Sequence, residues 1–192
     1  MGSPSIAVSV ALVGGIVTAF GWIVTNYLTT RRDESRLRLE AQQKFLERQI
    51  EELYGPLTVV LHEGRRTFKD LCEIMGRENI FENDGPLSKE DQATWLFWAD
   101  ADFFPRNEFI RTLLKTKAHL IEGPEFPKSY VDFLDHCNSW SINHLRWKVD
   151  QIPYPFHSKI DWPDHFEEEV IATANQLKLR HSNVIGTLRS AN

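Results

Sequence analysis

Residues 5–28 read SIAVSVALVGGIVTAFGWIVTNYL, and RRDESRLRLEAQQKFLERQIEELYGPL follows from residue 31. The first of these stretches decides the fold. At about 1.5 Å per residue, its apolar core from Ser5 to Val24 covers roughly 30 Å, the thickness of a bilayer's hydrocarbon layer. A single segment crosses that layer only as a helix, because every backbone N–H and C=O there needs an internal partner. Trp22 and Tyr27 stand near its end, where amphipathic rings favour the headgroup level. The opening MGSPS has no Lys or Arg and the apolar run is long, which speaks against a cleaved signal peptide. Ile6 stands where a myristoylation signal needs Ser or Thr. The stretch therefore reads as a retained anchor over residues 1–28.

Charge sets the orientation. Residues 1–28 contain no charged side chain, so all 22 basic and 27 acidic residues, and the net charge of -5, fall in 29–192. Arg31, Arg32, Arg36 and Arg38 crowd the exit of the span, and an excess of basic residues marks the cytoplasmic side. The expectation is a single-pass protein in the lipid bilayer, with a very short outer N-terminus and a cytoplasmic C-terminal domain. An acidic domain has no bulk attraction for nucleic acid. Cys72 and Cys137 are a distant pair, more like reduced core thiols than a secreted framework. Ala7, Ala11, Gly15 and Ala19 recur every fourth residue, a small-residue stripe of the kind that lets membrane helices associate, so a homo-oligomer is one expectation.

Beyond the span, helical periodicity recurs and no period-two alternation is sustained, which predicts an all-α chain. The span continues as a juxtamembrane helical stalk over 29–55, with Leu39, Leu46, Ile50, Leu53 and Leu57 on one seam. Gly55-Pro56 is expected to end or kink it, since proline lacks a donor and restricts its predecessor. Residues 56–192 then read as a cytosolic bundle of about five helices. One runs from Pro56 to Met75 on a Leu57/Val60/Leu61/Gly64/Phe68/Leu71 stripe. Gly64 costs roughly 1 kcal/mol against Ala, which suggests a close helix crossing. Residues 76–87 are rich in turn formers. Ser88 with Asp91 starts the next helix, Pro105 suits the first turn of another, and Pro127 opens a fourth to about Lys148. The last begins near Pro163. Between them, DQIPYPFHSKIDW reads as an extended strap over the bundle.

The order of GWIVTNYL, an Arg-rich exit, KFLERQIEELYGPL, FFPRNEFIRTLLKTKAHLI and SYVDFLDHCNSW resembles a family of small bacterial-type single-pass membrane proteins. Its members carry an N-terminal anchor, a "YGPL" helix break and a helical cytosolic domain. The likeness covers most of the chain, but its motifs are structural, so it implies an architecture and no active site.

No P-loop, Rossmann fingerprint, G-x-S-x-G elbow, HExxH or EF-hand loop occurs, and no cofactor is implied. Two cysteines are too few for a cysteine-rich zinc site. Asp132 and His136, four apart on one helix, could join Asp161, Asp164 and His165 in a mixed N/O metal site. An exposed i,i+4 pair beside ordinary helix N-terminal acids is the simpler reading. His144 and His181 fall on apolar faces, where a neutral, hydrogen-bonded ring is usual and a pH-responsive contact is the alternative. Asp100 and Asp102 point about 200° apart on a helix and cannot share one site. Lys117 is expected to pack its stem and send its amine to water or to helix carbonyls. The reading that results is a non-enzymatic membrane protein that docks a protein partner or its own copies. A metal-dependent enzyme or a pH-responsive sensor is the alternative.

Overall fold

Proline in a helix interior removes one hydrogen bond and crowds the carbonyl four residues back, at a cost of about 3 kcal/mol or more. This chain passes two such prolines without stopping. The structure, a computed structural model, describes residues 4–81 and 87–190, with side chains described from residue 20 onward. Helix α1 spans Pro4–Gln49 and α2 spans Gly55–Met75, joined by a single π-helical turn over Ile50–Tyr54. Helix α3 (Lys89–Trp98) and α4 (Phe104–Thr116) are joined the same way over Ala99–Phe103. In each turn the amide before the proline bonds five residues back, Gly55 to Ile50 and Phe104 to Ala99. The wider turn carries the backbone past the ring, and Pro56 and Pro105 then sit in the first turn of the following α-helix, where their missing donor costs nothing.

The expected break at Gly55-Pro56 is thus replaced by a helix that runs on. The π-turn before Pro105 likewise joins two helices that the sequence divides, so the described residues of 56–192 hold four helical rods rather than about five. Helix α5 is Lys128–Asp150 and α6 is Phe166–Ser190. A single 3-10 turn covers Ala118–Leu120, and no strand occurs among the described residues. Two compact units are distinguished, one of Leu46–His181 and one of Met1–Phe45 with Ser182–Asn192.

Among the described residues no helix is long and apolar enough to cross a membrane. Most of the predicted span, including Ala7, Ala11, Gly15 and Ala19, lies outside the residues whose side chains are described. Its end does not. Phe20, Trp22, Ile23, Val24, Tyr27 and Leu28 are all exposed.

Local signals end the other helices as their chemistry requires. Gly76 takes a left-handed φ of 64°, and the amides of Gly76 and Arg77 close the α2 terminus on Glu73 and Cys72. The Ser88 hydroxyl accepts from the Asp91 amide at 3.0 Å and starts α3. Lys117, at the end of α4, bonds Glu52 at 2.7 Å instead of the expected water or carbonyls. Hydrogen bonds from Arg48 first and Lys117 second pull the Glu52 carboxyl down to about 2.

Within residues 46–181 the core has two aromatic centres. Trp95 and Trp140 stack at 5.6 Å beside Leu71, Cys72, Ile80 and Phe103. Phe133 stacks on Phe166 at 4.5 Å, with Tyr130 edge-on to Phe166 and Val170, Ala174 and Leu177 buried along α6. Gly64 lets α4 come close, though through a side chain. A β-carbon there would lie 3.0 Å from the Arg106 guanidinium, which bonds Asp102 and Thr67.

Gly55 tests the π-turn. Its φ of -63° suits any residue, but a β-carbon would sit 2.7 Å from the Ile50 carbonyl oxygen that the turn brings in. Gly55→Ala should lower stability by about 1–3 kcal/mol through steric strain. Gly186→Ala, in a helix with open space around it, should raise it by up to about 1 kcal/mol. Denaturant unfolding of the two variants checks this, and equal effects would argue against a crowded turn.

Candidate functional site

Helix α5 carries His136, Trp140, His144 and Lys148 at intervals of four, one row along a single face. His136, Trp140 and His144 are buried. The row lies beneath the segment 151–165, which leaves α5 through Gln151 in the left-handed region (φ 54°) and turns again at Phe156 (φ 67°). This is the strap expected from its proline and aromatic content, and hydrogen bonds hold it down. The Trp95 indole donates to the Phe156 carbonyl at 2.7 Å. The buried Ser158 hydroxyl donates to the His136 carbonyl and accepts from the Ile160 amide, both at 3.1 Å. His136 Nδ1 meets the Ile160 carbonyl at 2.6 Å, and a carbonyl only accepts, so this nitrogen carries a proton.

His144 is the most connected of these groups, at 5% exposure. Its Nε2 lies 3.0 Å from Asp100 Oδ1, and its Nδ1 lies 2.6 Å from the Tyr154 hydroxyl. Lys148 Nζ donates to the same Asp100 oxygen at 2.6 Å. Partial burial pushes the Asp100 carboxyl up, but the Lys148 and His144 hydrogen bonds outweigh it and hold the carboxyl below the usual range. Burial holds His144 below its ordinary value, only partly offset by Asp100. Near neutral pH the pair is therefore carboxylate and neutral imidazole. A carboxylate cannot donate, so Nε2 carries the ring proton and bare Nδ1 accepts from the Tyr154 O–H.

This order, carboxylate to imidazole to hydroxyl, has the layout of a nucleophilic triad. Its hydroxyl end points the other way chemically. Burial pushes the Tyr154 phenol up to about 12, so it stays protonated. An open cleft of about 360 Å³ beside the cluster is lined by Asp100, Asn107, Glu108, Arg111, His144 and Lys148 among others. Its charges are already matched, Lys148 to Asp100 and Arg111 to Glu108. Cys137 also lines it, and burial pushes that thiol up to about 12. The arrangement fastens the strap and holds no poised nucleophile.

The residues weighed as a metal site do not come together. Asp132 turns to Lys128, while His136 turns inward to Ile160. His136 was expected on the solvated flank beside Asp132, and its burial follows from the strap that covers it. Asp161 and Asp164 are exposed, and His165, also exposed, lies 3.6 Å from Glu168. Among the described residues no group of three His, Cys, Asp or Glu side chains is placed to hold a metal ion. His181 is only partly buried and meets Glu47 at 3.1 Å. Asp100 and Asp102 diverge as expected, Asp100 to α5 and Asp102 to Arg106. Arg31, Arg32, Arg36 and Arg38 are all exposed, with Arg36 paired to Glu40 and Arg31 over the Tyr27 ring at 5.2 Å.

Tyr154 is the member that the sequence alone does not single out, and Asp100 stands out there only beside Asp102, not with His144. The row of four on α5 and the unusual strap were the available signals. No family model, curated protein or solved structure matches the chain.

Tyr154→Phe removes the O–H from which Nδ1 of the buried His144 ring accepts. Stability near neutral pH should fall by about 1 kcal/mol with α-helix content unchanged. Urea unfolding measures this, and an unaltered midpoint would mean that the strap is held without the bond.

Proposed function

We propose that this chain is a non-enzymatic single-pass membrane protein. Its N-terminal helix lies in the bilayer, and its helical domain stands on the cytoplasmic side to dock a protein partner or its own copies. The observation that carries the tether is the exposure of Phe20, Trp22, Ile23, Val24, Tyr27 and Leu28 on one stretch of α1. At 100° per residue five of these side chains share an arc of about 140° and Trp22 stands opposite them, and no charged side chain occurs anywhere among residues 1–28, which suits lipid. Trp22 at 69% exposure and Tyr27 beneath the Arg31 guanidinium have the character of an interfacial belt. The four arginines that follow favour the inner leaflet.

Docking rather than chemistry is supported by the matched charges of the α4/α5 cleft and by the raised Tyr154 and Cys137. It is also supported by Ile142, Leu145, Val149 and Ile152, which stand exposed at 3-4-3 spacing along and just past α5. Membrane-helix association through Ala7, Ala11, Gly15 and Ala19 would bring copies together in the same plane.

Full-length protein should remain with membranes through alkaline carbonate extraction, and a C-terminal tag should resist protease added outside intact cells. Replacing Leu12, Ile16 and Val17, in the middle of the uncharged stretch, with Lys should release the protein, because each charge at the centre of the hydrocarbon costs about 2.5–3.5 kcal/mol. Extraction of the unaltered protein into the aqueous fraction would contradict the tether. Recovery only as a monomer after crosslinking in cells, with no partner attached, would contradict docking.

A further inference from the structure

The strap covers groups that do not tolerate charge. His136 and His144 sit eight residues apart on α5, both buried, and each bonds an atom of the strap: the Ile160 carbonyl and the Tyr154 hydroxyl. Between these points the strap lays Phe156 against Trp147 and its carbonyl on Trp95. We infer that residues 151–165 form a proton-released strap, latched to α5 by His136 and His144 and lifted from the Trp95–Trp140 floor when those rings become charged.

The groups facing each ring set the direction. Asp100 from the π-turn favours a charged His144, and Lys148 on α5 opposes it. Tyr154 on the strap is neutral, and Glu108 and Arg111 on α4 line the adjoining cleft paired with each other. Around His136 the nearby charge is Asp161 on the strap, while Asp132 on α5 is engaged by Lys128. The rings of Trp140 and Trp162 flank it. In both cases burial dominates and holds the histidine below its ordinary value.

A second proton acts differently at the two ends. On His144 it occupies Nδ1, the lone pair that accepts from Tyr154, so that hydrogen bond must reverse and the phenol proton loses its acceptor. On His136 it leaves the Ile160 bond in place but buries a cation among indole rings. Opening the strap returns both rings to water and to their ordinary proton affinity. The closed strap is therefore fully stable above about pH 6.5 and loses stability as pH falls towards the depressed values of the closed form. The opening equilibrium rises by up to about tenfold per pH unit for each histidine, so up to about a hundredfold for the two together. Asp100, held below the usual carboxylate range, stays ionised across that window and does not reverse the effect. Opening would bare Trp95, Trp140 and the strap's own Tyr154 and Phe156, an aromatic surface hidden at neutral pH. This inference stands independently of the membrane tether.

The test uses the full chain in detergent micelles, with a nitroxide on Lys159→Cys, an exposed strap position, while the native Cys72 and Cys137 are buried. Electron paramagnetic resonance should show an immobilised label at pH 7.5 and a mobile fraction that grows below about pH 6.5, while far-ultraviolet circular dichroism stays constant. In a His136→Asn/His144→Gln background, which keeps an amide donor for the Ile160 carbonyl and an amide oxygen to accept from Tyr154 and removes the titration, the label should stay immobilised to pH 5. An immobile label at pH 5 in the otherwise native chain would overturn the inference, and that result needs no variant histidine to fold. So would mobility that appears only together with loss of helix, or a double variant that follows the native profile.

Discussion

At neutral pH an imidazole has one N–H and one lone pair, and His144 uses both. The lone pair accepts from Tyr154 and the N–H is given to Asp100, so a single buried ring joins three parts of the chain: the π-turn between α3 and α4, helix α5, and the strap. Hydrogen bonds of this kind gain little over water individually, but an orphaned polar group beneath the strap would be costly. The ring's tautomer follows from an ionised Asp100 and a protonated Tyr154, the carboxyl held down by the Lys148 and His144 hydrogen bonds against its partial burial and the phenol pushed up by its own burial. Lys148 completes the set by matching the charge that Asp100 would otherwise leave at the edge of the cleft.

That junction depends on backbone placed well away from it. Asp100 reaches α5 because it sits within the π-turn before Phe104-Pro105, where α3 and α4 form one rod. The first π-turn does comparable work at Ile50–Tyr54. The Tyr54 hydroxyl accepts from the Glu122 amide at 2.9 Å, and the Gln49 amide beside it donates to the Leu120 carbonyl at 2.9 Å. The chain thus uses the same device twice. A proline that would break an α-helix is absorbed by one wide turn, and side chains from that turn grip a distant segment. π-turns inside α-helices are found frequently at functional positions, and here they orient the residues that hold the domain together.

Much of this was legible in the sequence. The helical period gave an all-α chain, Ser88 and Pro127 marked helix starts close to where they occur, and the Pro- and aromatic-rich linker read as a strap. His144 on an apolar stripe read as a buried neutral ring with a partner. What escaped depends on tertiary contact or on one hydrogen bond's choice of acceptor. A proline in sequence signals a lost donor, but whether the chain ends its helix or widens the turn is decided by what packs around it. The Asp100 to His144 contact joins residues 44 apart in sequence, beyond the reach of any local period. His136 looked like half of an exposed i,i+4 pair because its cover, Ser158 and Ile160, comes from the strap. The proposed metal cluster dissolved for the same reason, since each candidate had a nearer partner or faced water.

The polar groups of this clasp are engaged with one another. The central claim is the proton arrangement at His144, and long-range nitrogen–proton correlation of the imidazole by nuclear magnetic resonance reads it directly. The account predicts, near pH 7.5, a ring protonated at Nε2 and bare at Nδ1, with both resonances disturbed in Tyr154→Phe. A ring protonated at Nδ1, or carrying both protons at that pH, would contradict it.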